Sequence, residues 1–353
     1  MSSSPASLAG RRVFLTGASG FVGRHLADRL VADGAKVTAL MRSAHGAVAL
    51  KAAGVQVHNG TLDDAASLDR ALAGQDAIVH LAYDVRASAA DNLAAFDALY
   101  AAAGRAGIDR FVHASSIVVY DDWPDGQIDE TSSMDRPGGS PYRDAKIAME
   151  QRLMAGDLPA VILQPTLVWG TGSALWTDTL AEALRAGDVV LPDPEGQAEL
   201  VHVSDLAAAF SAALALPDPG RERFIISGPA PVRWSDLLRG YATRLGTGGV
   251  RHEPLADLQA RLGPPPAMDP GTDAAPTAAA RVSALARRLI GRDRFEALVR
   301  ALKRRLRRGD FHPDHHLLEL FAATGTCSTR AARDRLGYMP RVDLAAGLEI
   351  TRL

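Results

Sequence analysis

The sequence predicts an α/β fold: a doubly wound parallel sheet with a smaller, discontinuous second domain. Three observations predict it. Short apolar runs of buried-strand length alternate with Ala/Leu/Arg-rich stretches of helical spacing through the first half of the chain. The first of these runs leads straight into a glycine turn and a helix start, the connection expected at the carboxyl end of a first parallel strand. Beyond about residue 228 the alternation fades into proline-rich and basic stretches. Successive parallel strands joined through helices demand right-handed crossovers, which place helices on both faces of one sheet.

Strands are predicted at 13–15, 37–40, 55–57, 77–81 and 111–114, then at 160–164, ended by Pro165, and at 224–226, ended by Gly228. Helices are predicted at 26–31, 65–72 and 92–103, the last opened by Asn92. In the second half they are predicted at 175–186, 204–216 and 235–245, with Ser204 and Ser235 as N-caps. Five prolines in 263–276 read as a loop, and the tail reads as two short helices around 336–340. The expected division is 8–170 with 198–228 as the first domain, and 171–197 with 229–353 as the second.

Within the second lies 281–308, a basic helical segment of net charge +9. Apolar residues recur along it at roughly helical spacing. It reads as a peripheral amphipathic element with a solvated Arg face, or else as a contact for an anionic partner.

Composition narrows the function. The chain of 353 residues is 47% hydrophobic and 23% charged, with formal net charge −2, so no global charge favours nucleic acid. No apolar run reaches about 18 residues, which predicts no transmembrane segment. Residues 1–10 are rich in Ser and Ala without an apolar run, which predicts no signal peptide. Cys327 is the single cysteine and cannot form an internal disulfide, consistent with a reducing cytoplasm. No metal site is expected.

The glycine turn is the first functional signal. Gly17 suits the tight turn, Gly20 lets the backbone approach a pyrophosphate, and Gly23 lets the helix pack on the strand. Helix N-terminal N–H groups at Ser19, Gly20, Phe21 and Val22 would face the phosphates. The second signal is Tyr142 and Lys146, four apart behind Pro141, and therefore on one helix face. A neighbouring ammonium favours phenolate, so the expectation is a lowered phenol pKa and proton transfer to a substrate oxygen. The alternative is a tyrosine packed on a lysine stem. Ser115 and Ser116 follow the fifth predicted strand, where a hydroxyl can meet the same oxygen or cap a turn. Asn92 reads as support for the lysine or as a surface residue.

These residues together resemble the extended short-chain dehydrogenase/reductases, the NAD-dependent epimerase/dehydratase family, over about 12–228 and again near 336–351. The stretch 16–23 resembles the family's TGxxGxxG, 115–120 its SSxxVYG, Tyr142–Lys146 its YxxxK, 164–170 its RPxxVYG and 201–205 its VHVxD. The resemblance implies a Rossmann sheet with a substrate domain and a nicotinamide cofactor. It assigns Ser116, Tyr142 and Lys146 to catalysis. It assigns Thr61, Leu62, Leu81, Ala82, Tyr83, Asn92, Pro165 and Val168 to the cofactor, along with the glycine turn, Tyr142 and Lys146. Departures are Asp121 for glycine, Gln164 for arginine, Trp169 for tyrosine, and Thr61 for the aspartate that contacts adenine. An Asp-Glu pair beside Ser116 is missing, which weighs against a sugar dehydratase. The pattern is closer to the reductase and 3β-hydroxysteroid-dehydrogenase-like branch.

The second predicted strand ends in Leu40-Met41-Arg42-Ser43, with no acidic residue to take both ribose hydroxyls. Arg42 offers a planar fork for a 2′-phosphate, or is a solvated strand end. NADP is therefore the expected cofactor, with NAD as the alternative. The expected activity is hydride transfer between nicotinamide and a secondary alcohol or ketone of a small molecule. The alternatives are a nucleotide-sugar epimerase with a retained cofactor and a non-catalytic dinucleotide sensor. A homodimer is the candidate assembly.

Overall fold

Apolar residues in strands of four to six residues alternate between two cores, and that alternation builds the sheet. A computed structural model describes residues 8–42, 46–264 and 309–353. The basic segment 281–308, Ser43 and most of the proline-rich 263–276 lie outside the described residues. In chain order come β1 (Arg12–Thr16), α1 (Phe21–Ala32), β2 (Lys36–Met41), α2 (Ala47–Ala52), β3 (Gln56–Asn59) and α3 (Ala65–Leu72). They are followed by β4 (Ala77–His80), α4 (Ala89–Ala106), β5 (Arg110–Ala114) and α5 (Pro141–Ala155). Strands Ala160–Pro165 and Arg221–Ile226 complete a seven-stranded sheet.

The sheet order is Arg221–Ile226, Ala160–Pro165, β5, β4, β1, β2, β3, and every pairing is parallel. This is the doubly wound Rossmann arrangement, with β1 central between β4 and β2. Val13 and Leu15 enter one core with Leu26, Val37, Val79 and Phe210. Phe14 enters the other with Leu68, Ile78, Phe96 and Phe111. Both sheet faces are thus buried, as expected of parallel strands. Each such side chain contributes about 1.5–3 kcal/mol on leaving water.

Several helix starts differ from expectation, and α1 begins at Phe21, directly on the glycine turn, where 26 was the expected start. α4 begins at Ala89, because Ser88 and Asp91 close a capping box, so Asn92 lies inside the first turn. The helix Val203–Ala215 is capped by His202, whose Nδ1 accepts from the Ser204 N–H at 3.3 Å, and not by Ser204. The helix Trp234–Leu245 starts before Ser235, whose hydroxyl instead donates to Glu195 at 2.6 Å. The predicted helix 175–186 is a π-helical turn, Ala174–Thr179, followed by the helix Leu180–Ala186.

The chain divides into two units. The first comprises 1–177, 197–232 and 323–352; the second comprises 178–196, 233–322 and Leu353. Residues 171–177, 197, 229–232 and 323–352 were expected in the second domain and group with the first. The tail is drawn there by specific bonds. Tyr338 donates to the Ser227 carbonyl at 2.9 Å, and the Asp205 carboxylate accepts the backbone N–H groups of Arg341 and Val342 at 3.0 and 2.9 Å. The second unit has its own core of Val190, Leu258 and Leu318, with strand Val189–Asp193 parallel to Val250–Pro254.

Candidate active site

The glycine turn and the loop after β4 interlock. Gly17 has φ +73°, and a Cβ there would stand 3.0 Å from the Ala82 nitrogen and the Leu81 carbonyl carbon. Thr16 Oγ1 accepts from the Ala82 N–H at 3.2 Å. A Cβ on Gly23 would fall 2.1 Å from the Gly17 carbonyl oxygen, so only glycine lets α1 come this close. Gly20 is the N-cap of α1 and supplies no side-chain acceptor, leaving the first-turn N–H groups to an incoming anion. Ser19 and Gly20 are exposed, while Phe21 and Val22 are half-buried. A cradle of this kind, closed to a Cβ at Gly17 and Gly23 and rimmed by N–H groups, fits a pyrophosphate.

Two places around the turn carry polar side chains. Arg42, just past β2, donates from Nη1 to Asp84 Oδ2 at 2.7 Å. Asn92 is buried and holds the Asp84 main chain from both sides, accepting from its N–H at 2.7 Å and donating to its carbonyl at 2.9 Å. Asn92 therefore braces the loop after β4 and is not the surface residue that one reading of the sequence offered. Beyond β3, the Thr61 side chain and the Asp63 backbone N–H hold the Asp63 carboxyl below its usual range. Leu62 packs on the second core.

Ser116, Tyr142 and Lys146 come together at the carboxyl end of β5. Ser140 caps α5, accepting from the Arg143 N–H at 3.2 Å, and Pro141 takes the first turn. Tyr142 and Lys146 then share the face toward the sheet. The Ser116 side chain faces the Tyr142 phenol and favours its ionised form. The Tyr83 ring stands edge-on to Tyr142, with centroids 4.8 Å apart and an 83° interplanar angle. Lys146 Nζ is 5.3 Å from the Tyr83 centroid and 5.7 Å from that of Tyr142. It donates to the Ala114 carbonyl at 2.7 Å.

The electrostatics run opposite to the expected lowering. Burial pushes the Tyr142 phenol up to about 12, partly offset by the nearby Ser116 hydroxyl. Burial pulls Lys146 down to about 8, against the opposing pull of Glu150. Desolvation disfavours both charged forms, and at this separation it outweighs the attraction between ammonium and phenolate.

Several supporting residues escaped the sequence reading. Arg143 lies between Tyr142 and Lys146 but is buried toward the loop after Ser116. It donates to the carbonyls of Val118, Val119, Arg136 and Gly138 at 2.7–3.1 Å and pairs with Asp121. Asp121 also accepts from the Ser133 hydroxyl and the N–H groups of Asp135 and Arg136. This knot accounts for an aspartate where the family pattern has glycine. Gln164 accepts from the Tyr120 hydroxyl at 2.7 Å and donates to the fully buried Glu150 at 2.9 Å. Pro165 ends its strand buried, and Val168 packs against the first core. The departures at 121 and 164 were the only available signals for these networks. Nothing in the sequence marked Asp84 or Arg143.

Comparison with known proteins gives the family and the fold. Residues 13–227 match the model of the NAD dependent epimerase/dehydratase family. The chain is 32% identical, over 69% of its length and 75% of the relative's, to 4-hydroxy-2-methyl-3-oxo-4-farnesyl-3,4-dihydroquinoline-1-oxide ketoreductase of Stigmatella aurantiaca. It is 30% identical to the ceramide reductase of Caulobacter vibrioides, over 66% of this chain and 70% of that one. A nucleoside-diphosphate-sugar epimerase from Pseudomonas aeruginosa shares the fold with a TM-score of 0.68 at 20% identity, covering 97% of this chain and 96% of that one.

Proposed function

The chain belongs to the NAD-dependent epimerase/dehydratase family as an NAD(P)-dependent enzyme of the extended short-chain dehydrogenase/reductase type, and on that premise we propose that it reduces a ketone on an apolar small molecule, with NADPH preferred. The observation that carries the reading is the Tyr142 phenol, protonated at neutral pH and placed beside Tyr83 and the Lys146 ammonium at the carboxyl end of β5. A protonated phenol is what a ketone oxygen needs as it becomes an alkoxide.

When bound, NADPH supplies the hydride to the carbonyl carbon. Tyr142 gives its proton to the oxygen, and the Ser116 hydroxyl orients that oxygen. The Lys146 ammonium steadies the phenolate left behind, and solvent restores the proton. The Gly17–Gly23 turn holds the pyrophosphate and Lys146 the nicotinamide ribose. The two relatives' names carry a 3-oxo group with a farnesyl chain, and a ceramide. Those names support an apolar substrate over a sugar nucleotide. The full set of Ser116, Tyr142 and Lys146 argues against a sensor, which needs no proton donor.

The test is a screen for NADPH oxidation with long-chain 3-oxo compounds beside nucleotide sugars. Net cofactor consumption with the apolar ketones supports the reading. Isomerisation of a nucleotide sugar without net consumption would replace it with an epimerase.

A further inference from the structure

The Arg42–Asp84 pair has a particular place in the sheet. β2 and β4 flank β1 on its two sides. Arg42 follows the end of β2 and Asp84 lies in the loop after β4, so their ion pair at 2.7 Å spans the carboxyl end of β1, where the glycine turn begins. The two partners are unequal. Asp84 is fixed: Asn92 grips its N–H and its carbonyl, and its second carboxylate oxygen accepts the Arg86 N–H at 3.1 Å. The Arg42 side chain is 70% exposed, and Asp84 is its one side-chain partner among the described residues.

We propose that Asp84 is the resident counter-ion of Arg42 and weakens this chain's hold on a ribose 2′-phosphate, so that Asp84 sets the degree of discrimination between NADP and NAD. This rests on the reading of Arg42 as the 2′-phosphate partner. A 2′-phosphate must take the guanidinium from a carboxylate and then sit near that carboxylate's charge. A neutral 2′-hydroxyl does neither. The cost of separating the pair therefore falls on the phosphorylated cofactor alone. For an exposed pair it is small, a factor of about two to five, and repulsion between carboxylate and phosphate adds to it.

The experiment titrates NADP⁺ and NAD⁺ into the full chain as wild type, Asp84→Asn, Arg42→Ala and the double variant, following intrinsic fluorescence. Asparagine keeps the shape and the acceptor for the Arg86 N–H. Asp84→Asn should tighten NADP⁺ about two- to tenfold and change NAD⁺ by less than about 1.5-fold. In the Arg42→Ala background the same substitution should give a clearly smaller gain, because the cation it releases is gone. Arg42→Ala alone should weaken NADP⁺ roughly 10- to 150-fold, with NAD⁺ hardly changed. If Arg42→Ala weakens NADP⁺ but Asp84→Asn leaves it unchanged, loosens it, or tightens both cofactors equally, the counter-ion role is overturned while the Arg42 reading stands. If Arg42→Ala leaves NADP⁺ unchanged, the Arg42 reading fails and the counter-ion role fails with it.

Discussion

Lys146 Nζ donates to the Ala114 carbonyl at 2.7 Å, tying the middle of α5 to the last residue of β5. The bond fixes the ammonium under the rings of Tyr83 and Tyr142. It also fixes it out of water, since Lys146 is buried.

That burial has a signature in stability. In the folded chain Lys146 releases its proton at about 8, in the unfolded chain near its ordinary 10.5. Between those values the unfolded chain binds more protons, so this group makes stability rise with pH across the window. Lys146→Met should remove that contribution. Its stability relative to wild type should be highest at pH 7–8 and decline as pH approaches 10. Urea midpoints at one-unit intervals would check it, and a difference independent of pH would contradict a desolvated ammonium.

Tyr142→Phe should lose on the order of 10²–10⁴ in reduction rate with dinucleotide affinity little changed. The wild-type kcat/KM for reduction should fall above about pH 8, as Lys146 loses the charge that steadies the phenolate. The phenol itself, at about 12, should contribute no titration below pH 10. A Phe variant with near-full turnover, or a profile flat to pH 10, would remove these roles.

Gly23 and Gly20 should respond differently to alanine. At Gly23 the new methyl would lie 2.1 Å from the Gly17 carbonyl oxygen, a backbone atom with no room to yield. Gly23→Ala should destabilise the fold by about 1–3 kcal/mol or more. At Gly20 the nearest atom is 3.2 Å away and the site is exposed. Gly20→Ala should keep most of the stability and lose dinucleotide affinity. Thermal unfolding beside cofactor titration separates the two, and equal stability loss would count against the cradle.

Arg143→Ala should be costly, because it removes the counter-ion of the Asp121 carboxylate and a donor to four carbonyls at once. The side chains of the pair are only 10% and 8% exposed, and removing one partner of a buried pair costs about 3–5 kcal/mol. Asp121→Ala should also destabilise, and the double variant should cost less than the two singles together. Strict additivity in urea unfolding would mean the pair is not coupled.

The sequence by itself determined the seven strands of the central sheet, their parallel character and the placing of Tyr142 and Lys146 on one helix face. These are carried by local signals: apolar runs of strand length, glycines at fixed spacing, and a four-residue interval that defines one helix face. It also marked positions 121 and 164 as unusual without saying why. Tertiary structure alone decided what those residues meet. Asp121 and Arg143 are 22 positions apart, Arg42 and Asp84 42, Asp205 and Arg341 136. No spacing rule reaches across such distances, because the pairings depend on how the sheet and loops fold back. Tertiary structure likewise reversed the expected tyrosine shift. A lysine four residues away is visible in the sequence, whereas the water that burial removes from both groups is not. It also returned the tail to the first unit, through Tyr338 and Asp205.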